Sequence, residues 1–198
     1  MMDLLIRNIK ELFQVTPGTQ RISGTQMNQV PSIKNAYLHL KDGLIADFGV
    51  DADCNLSADR QIDAKGGMVL PSFIDCHTHL AFPASREEEF VMKLRGMSYA
   101  EIAQMGGGIQ NSASKLSVLT YDALFEVSLP RIYEAMRHGT GALEIKSGYG
   151  LNTESELKML RVARQLGKET GIPVKTTFLG AHTVPNGISK HDYISACN

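Results

Sequence analysis

Hydrophobic and polar positions divide the chain into two textures. Residues 1 to about 65 carry short apolar runs broken by polar turns, a pattern that predicts strands. Asp3–Ile9 opens with one such run, and Asn35–Val50 holds two more around Lys41-Asp42-Gly43. Asp-Gly between apolar runs is a strong hairpin signal. Thr16–Ser32, rich in Gly, Pro, Thr, Ser, Gln and Asn, predicts a polar loop. The first 65 residues are therefore expected to form a small β-sheet module.

From Gly66 onward the pattern alternates strand and helix. Met68–Leu80, Gly141–Ser147 and Val174–His182 predict strands. A helix is expected from Thr153-Glu154-Ser155-Glu156, read as a capping box, through an apolar face of Leu157, Met159, Leu160, Ala163 and Leu166. Gly171 and Pro173 should end it. Tyr121–His138 predicts another helix, with Leu124, Val127, Leu129, Ile132 and Met136 as apolar members and Pro130 as a site for a kink. Ser189–Asn198 reads as the opening of a further helix. Strand–helix–strand repetition implies an α/β fold with parallel pairing and right-handed crossovers.

Composition narrows the function classes. The 198 residues suit one domain, or one domain with a small appendage, and 43% hydrophobic against 21% charged residues is an ordinary globular balance. Twenty Lys+Arg against 21 Asp+Glu leave a formal charge of -1, so no basic excess is available for nucleic acid or an anionic membrane. No apolar run approaches the roughly 18 residues of a spanning helix. Residues 1–13 mix Asp3, Arg7, Lys10 and Glu11 into their apolar positions, unlike a secretory signal. Three cysteines (Cys54, Cys76, Cys197) form no CxxC pair, which points to a reducing, cytoplasmic setting.

The sharpest chemical signal is Asp75-Cys76-His77-Thr78-His79 at the end of the first α/β strand. Alternation puts Phe73, Asp75, His77 and His79 on one face and Ile74, Cys76, Thr78 and Leu80 on the other. Two imidazoles roughly 7 Å apart along a strand can reach one divalent metal. Strand ends of this kind are where α/β folds place their sites. Cys76, on the opposite face, is expected to be a buried apolar filler. On the third strand the same alternation ends at His182. On the second, Leu143 and Ile145 should pack on helices and turn Glu144 and Lys146 inward. Ser147-Gly148-Tyr149-Gly150 then forms a tight turn presenting the Tyr149 hydroxyl above the strand end.

In Ser85-Arg86-Glu87-Glu88-Glu89-Phe90, Arg86 can grip a carboxylate in bidentate fashion, and the acidic run suits a solvated face or a helix first turn. Gly106-Gly107-Gly108 allows close approach to a ligand or a hinge. His39, His138 and His191 are read as surface or packing residues.

A small β module followed by Val-Leu-Pro-Ser-Phe-Ile-Asp-Cys-His-Thr-His-Leu resembles the amidohydrolase superfamily of metal-dependent (β/α)8 hydrolases. Ser85–Phe90, Gly106–Ile109, Glu144–Leu151, Thr153–Arg164 and Thr176–His182, in that order, resemble more narrowly the imidazolonepropionase family of histidine breakdown.

The resemblance implies metal-dependent opening of the cyclic amide of 4-imidazolone-5-propanoate to N-formimidoyl-L-glutamate. A zinc or iron ion would act as Lewis acid and lower the pKa of water. It implies His77 and His79 as metal ligands and Arg86, Tyr149 and His182 as substrate contacts. His182 would meet the carbonyl oxygen or developing oxyanion, and Tyr149 would fix the ring, two roles that are interchangeable at this stage. The family site also takes a histidine and acidic groups from later strands, which nothing after His182 supplies.

Such a barrel takes about 250 residues, so three strand units of eight, residues 66–198 after the module at 1–65, are expected here. The chain alone is then expected to be inactive, with a homodimer open to the full-length enzyme. The alternatives are another cyclic amidohydrolase or a deaminase of the superfamily, or a non-catalytic fragment that binds metal weakly or pairs with another chain.

Overall fold

The computed structural model describes residues 3–15, 22–185 and 187–197. The chain is α/β and divides into two compact units, the first ending at Pro71 and the second starting at Ser72.

The first unit is a five-stranded sheet in the order β3-β2-β1-β4, with β5 also pairing β1. Strands β1 (Asp3–Phe13), β2 (Ser32–Lys41) and β3 (Leu44–Val50) run antiparallel in sequence. Strands β4 (Arg60–Asp63) and β5 (Met68–Val69) return parallel to β1. The β2–β3 hairpin turns at Asp42-Gly43, both at positive φ, as its sequence requires. Ile9, Leu12, Ala36 and Leu38 form the core of the unit. The expected loop at 16–32 lies partly outside the described residues, and its described part contains a short 3-10 turn, Gly24–Asn28. His39 is largely buried and its Nε2 lies 2.6 Å from Asp3 Oδ1, a packing role.

In the second unit, β6 (Phe73–Thr78), β7 (Thr140–Lys146) and β8 (Val174–Thr177) form a parallel sheet in the order β6-β7-β8. Between β6 and β7 lie α1 (Glu87–Leu94), α2 (Tyr99–Gln104), α3 (Ile109–Val118) and α4 (Tyr121–Arg137). Helix α5 (Thr153–Thr170) connects β7 to β8, and α6 (Lys190–Cys197) follows. Leu124 and Ile132 of α4, Leu143 and Ile145 of β7, and Met159, Val162, Ala163 and Leu166 of α5 bury one continuous core. No helix among the described residues is long and apolar enough to cross a membrane.

Several expectations need correcting. The strand expected over Met68–Leu80 is two, because Pro71 lies between β5, which pairs with β1, and β6, which pairs with β7. The third strand stops at Thr177, and Gly180–His182 is a 3-10 turn, so alternation does not set the direction of His182. Cys76 is exposed, not a buried filler. Helices α4 and α5 pack on β7 and β8, and every residue of β6 except Thr78 is exposed. The N-cap of α5 is Asn152, whose side chain accepts from Ser155 N at 2.8 Å, so Thr153–Glu156 is no capping box. The reciprocal box is at Ser98 and Glu101, on α2. Pro130 sits inside α4, which continues through it to Arg137.

Candidate functional site

The C-terminal ends of the three parallel strands bring His79, Tyr149 and His182 together. Ring centroids lie 4.7 Å apart for His79–Tyr149, 5.7 Å for His79–His182 and 5.8 Å for Tyr149–His182. His77 is 5.9 Å from His79. The strand approach is less regular than simple alternation, since the β6–β7 register shifts between Asp75 and Thr78. Within that shift Thr78 Oγ1 donates to the Glu144 carbonyl at 3.0 Å, which ties the end of β6 to β7.

Burial, then the charges of His182 and His77, hold the His79 imidazolium below the ordinary histidine range; the Ser147 backbone opposes this, and Lys146 adds to the lowering. A neutral ring is the form that ligates a metal. His79 Nδ1 is also buried without a hydrogen bond of normal geometry. A buried imidazole nitrogen lacking a partner, next to a second imidazole, is a donor set that fits part of a zinc or iron shell. Among the described residues no group of three or more His, Cys, Asp or Glu donors converges.

Below the ring cluster, Glu144 and Lys146 of β7 pair at 2.6 Å, with Leu143 and Ile145 buried on the opposite side. Burial would raise the Glu144 carboxyl, but hydrogen bonds from Lys146 and Thr177 and the Lys146 and His77 charges outweigh it and leave it below the ordinary range.

A cavity of about 310 Å³ opens beside the rings, lined by His79, Phe82, Ser85, Arg86, Ser112 and Tyr149 among others. His77 and His182 are not among its lining residues. Arg86 lies 3.7 Å from Glu89 Oε2, while Glu89 Oε1 accepts from Gly108 N at 3.0 Å and from Asn111 Nδ2 at 3.3 Å. The acidic run therefore begins helix α1, and one of its carboxylates joins Arg86 to the glycine triplet. Arg131 of α4 fixes the segment behind the cavity: its Nη1 donates to the Phe82 carbonyl at 2.6 Å and its guanidinium lies 3.5 Å over the Phe82 ring. Sequence reasoning missed Arg131 and Phe82, because neither carries a motif and their contact spans 49 residues.

The loop that presents Tyr149 is unusually constrained. Gly148 has φ +114, and a Cβ there would come within 3.0 Å of His182 Nδ1. A Cβ on Gly150 would lie 2.5 Å from the Glu156 backbone N. Both glycines are needed for the loop to sit between the His182 turn and the start of α5.

No protein-family model matches the chain. Among solved structures, guanine deaminase from E. coli superposes with a TM-score of 0.62 at 13% identity, covering 89% of this chain and 36% of that one. Atrazine chlorohydrolase from Arthrobacter aurescens, solved with zinc, gives 0.54 at 15% identity over 88% of this chain and 35% of that one. At these identities the likeness speaks for the fold alone. The imidazolonepropionase of Flavobacterium johnsoniae is 50% identical over 183 residues, 91% of this chain and 44% of that protein. That of Caldanaerobacter subterraneus subsp. tengcongensis is 40% identical over 192 residues, 96% of this chain and 46% of that protein. The chain spans about half the length of the curated relatives it matches. By sequence, along nearly its whole length, the chain is similar to the N-terminal part of curated imidazolonepropionases.

Proposed function

We propose that the protein supplies the metal strand and one wall of the substrate cleft for hydrolysis of the cyclic amide bond of 4-imidazolone-5-propanoate to N-formimidoyl-L-glutamate. On this reading the second unit, from Ser72 on, forms the first three strand units of a (β/α)8 barrel, after the small β module that ends at Pro71, in a cytoplasmic enzyme of histidine breakdown. The observation that carries it is the cavity with Arg86, His79 and Tyr149 in one lining. A ligand holding a ring and a carboxylate fits that chemistry, with the ring against Tyr149 and the carboxylate on Arg86.

His77 and His79 would hold one metal ion, zinc or iron. When bound, such an ion polarises the carbonyl and lowers the pKa of water toward neutrality. Arg86 takes the propionate in bidentate fashion, exchanging its long contact with Glu89 for a charge-assisted pair. Tyr149 orients the ring. His182, beside His79 and Tyr149, donates a hydrogen bond to the carbonyl oxygen as charge develops there. The balanced reaction adds one water across the ring C–N bond: oxygen goes to the carbonyl carbon and a proton to the leaving nitrogen.

Two imidazoles hold a metal weakly by themselves, so turnover by the chain alone is not expected, and ligand binding is the direct test. Imidazole-4-propanoate carries the ring and carboxylate without the scissile amide. With zinc supplied, it should shift the resonances of Tyr149 and His79, and Arg86→Ala should weaken it by about tenfold or more. Equal affinity in the wild type and Arg86→Ala, or shifts confined elsewhere, would remove Arg86 and the cavity from the reading.

A further inference from the structure

We propose that Glu156 is a positioning residue of this site: its carboxylate grips the backbone of the Ser147–Leu151 loop and so sets where the Tyr149 ring stands against His79 and His182. The inference takes from the proposed function only that these three rings form the site.

Glu156 is 1% exposed. An isolated carboxylate is costly to bury, and it persists where strong donors satisfy both oxygens. Here Oε2 accepts from Gly148 N at 2.7 Å, and Oε1 accepts from Gly150 N at 2.7 Å and Leu151 N at 3.1 Å. All three donors precede helix α5. A glutamate in the first turn that only capped its own helix would serve the helix's first N–H groups. That task falls to Asn152, whose side chain accepts from Ser155 N. Glu156 instead leans back onto the loop, with the positive end of α5 favouring its charge.

The loop it holds is one that would not keep this shape unaided. Leu151 has φ +54, a left-handed conformation unusual for leucine, and its N–H is one of the three donors. Gly148 is pressed against the His182 turn, and the far side of the loop is tied to the same turn, since Ser147 Oγ accepts from Leu179 N at 3.0 Å. Tyr149 lies between Gly148 and Gly150, both bonded to Glu156. A change in that carboxylate is therefore transmitted to the 4.7 Å His79–Tyr149 and 5.8 Å Tyr149–His182 spacings.

The test uses Glu156→Gln, which keeps the volume but turns one acceptor into an NH2 donor facing an N–H. Glu154→Gln is the control, removing a charge from the same helix turn without touching the loop. In the wild-type chain, cross-relaxation between the Tyr149 ring and the His79 and His182 rings should be observed by NMR. In Glu156→Gln those cross-peaks should be lost, and exchange of the Gly148, Gly150 and Leu151 amides should rise by about tenfold or more while Leu143 and Ile145 keep their protection. Glu154→Gln should leave all of these unchanged. If Glu156→Gln does not fold, Glu156→Asp keeps the charge, draws it back by one methylene, and should give the same pattern in weaker form. Ring cross-peaks that persist in a folded Glu156 variant with exposed loop amides would overturn the proposal and leave Glu156 a structural cap. None of these readouts depends on metal or turnover, so they stand apart from any failure of the proposed reaction.

Discussion

Tyr37 shows how one contact reshapes a residue whose sequence context says little. Its hydroxyl donates to Asp47 Oδ2 at 2.8 Å across the β2–β3 pair, and the side chain is buried. The bond to Asp47, burial and the Asp47 charge push its ionisation up to about 12. Because the folded value is raised, the contribution to stability is complete below the ordinary tyrosine range near 10 and is lost as pH rises through about 12. Ultraviolet titration should find the Tyr37 hydroxyl ionising late, at about 12. Asp47→Asn should bring it back toward the ordinary tyrosine range, and an unshifted titration would show that Asp47 is not the cause. At this scale the candidate site residues were legible: His77, His79, Arg86, Tyr149 and His182 stand in motifs. Their partners were not. Glu156 reads in sequence as half of a capping box, and only its burial and the three loop amides show its actual contacts.

At the level of elements, periodicity located α4 and α5 closely, because both bury one face against the parallel sheet. The face is narrower than the apolar positions suggest. In α4, Leu124 and Ile132 are fully buried while Val127 is 39% exposed, and in α5 Leu157 is 40% exposed. Ile132→Ala should therefore cost about 2–5 kcal/mol, and Val127→Ala should stay near about 0.5 kcal/mol. Urea denaturation measures both, and equal losses would contradict this one-sided packing. The helices also hold neighbouring segments through long-range polar contacts. Lys158 Nζ of α5 donates to the carbonyls of Leu116 and Leu119 at the end of α3, at 3.0 and 2.6 Å. Such contacts leave no trace in local pattern. Strand limits were legible only where the pattern ended for a local reason, as at Asp42-Gly43. The early end of β8 at Thr177 was not.

For the molecule as a whole, the parallel sheet of the second unit has β6 at one edge and β8 at the other. Phe73 and Ile74 on β6 are 65% and 73% exposed. An apolar edge strand with unpaired backbone groups is a template for association. Sedimentation should show the chain self-associating as its concentration rises. Ile74→Lys, which puts a charge on the edge, should reduce that association. An unchanged sedimentation profile would show that this edge is not what the chains share.

Local chemistry determined much of this protein without reference to its fold. Apolar period set the type of the long elements, Asp-Gly set the hairpin, and the motifs around His77, His79, Arg86, Tyr149 and His182 marked them as candidates for a site. Tertiary structure alone decided the rest, because each remaining feature depends on atoms far apart in sequence. The meeting of His79, Tyr149 and His182 spans three strand ends, the burial of Glu156 depends on a loop folding back over its helix, and the exposure of Cys76 reflects helices that pack on β7 and β8. Burial and long-range hydrogen bonding are properties of the packed chain, and residue identity at one position does not encode them.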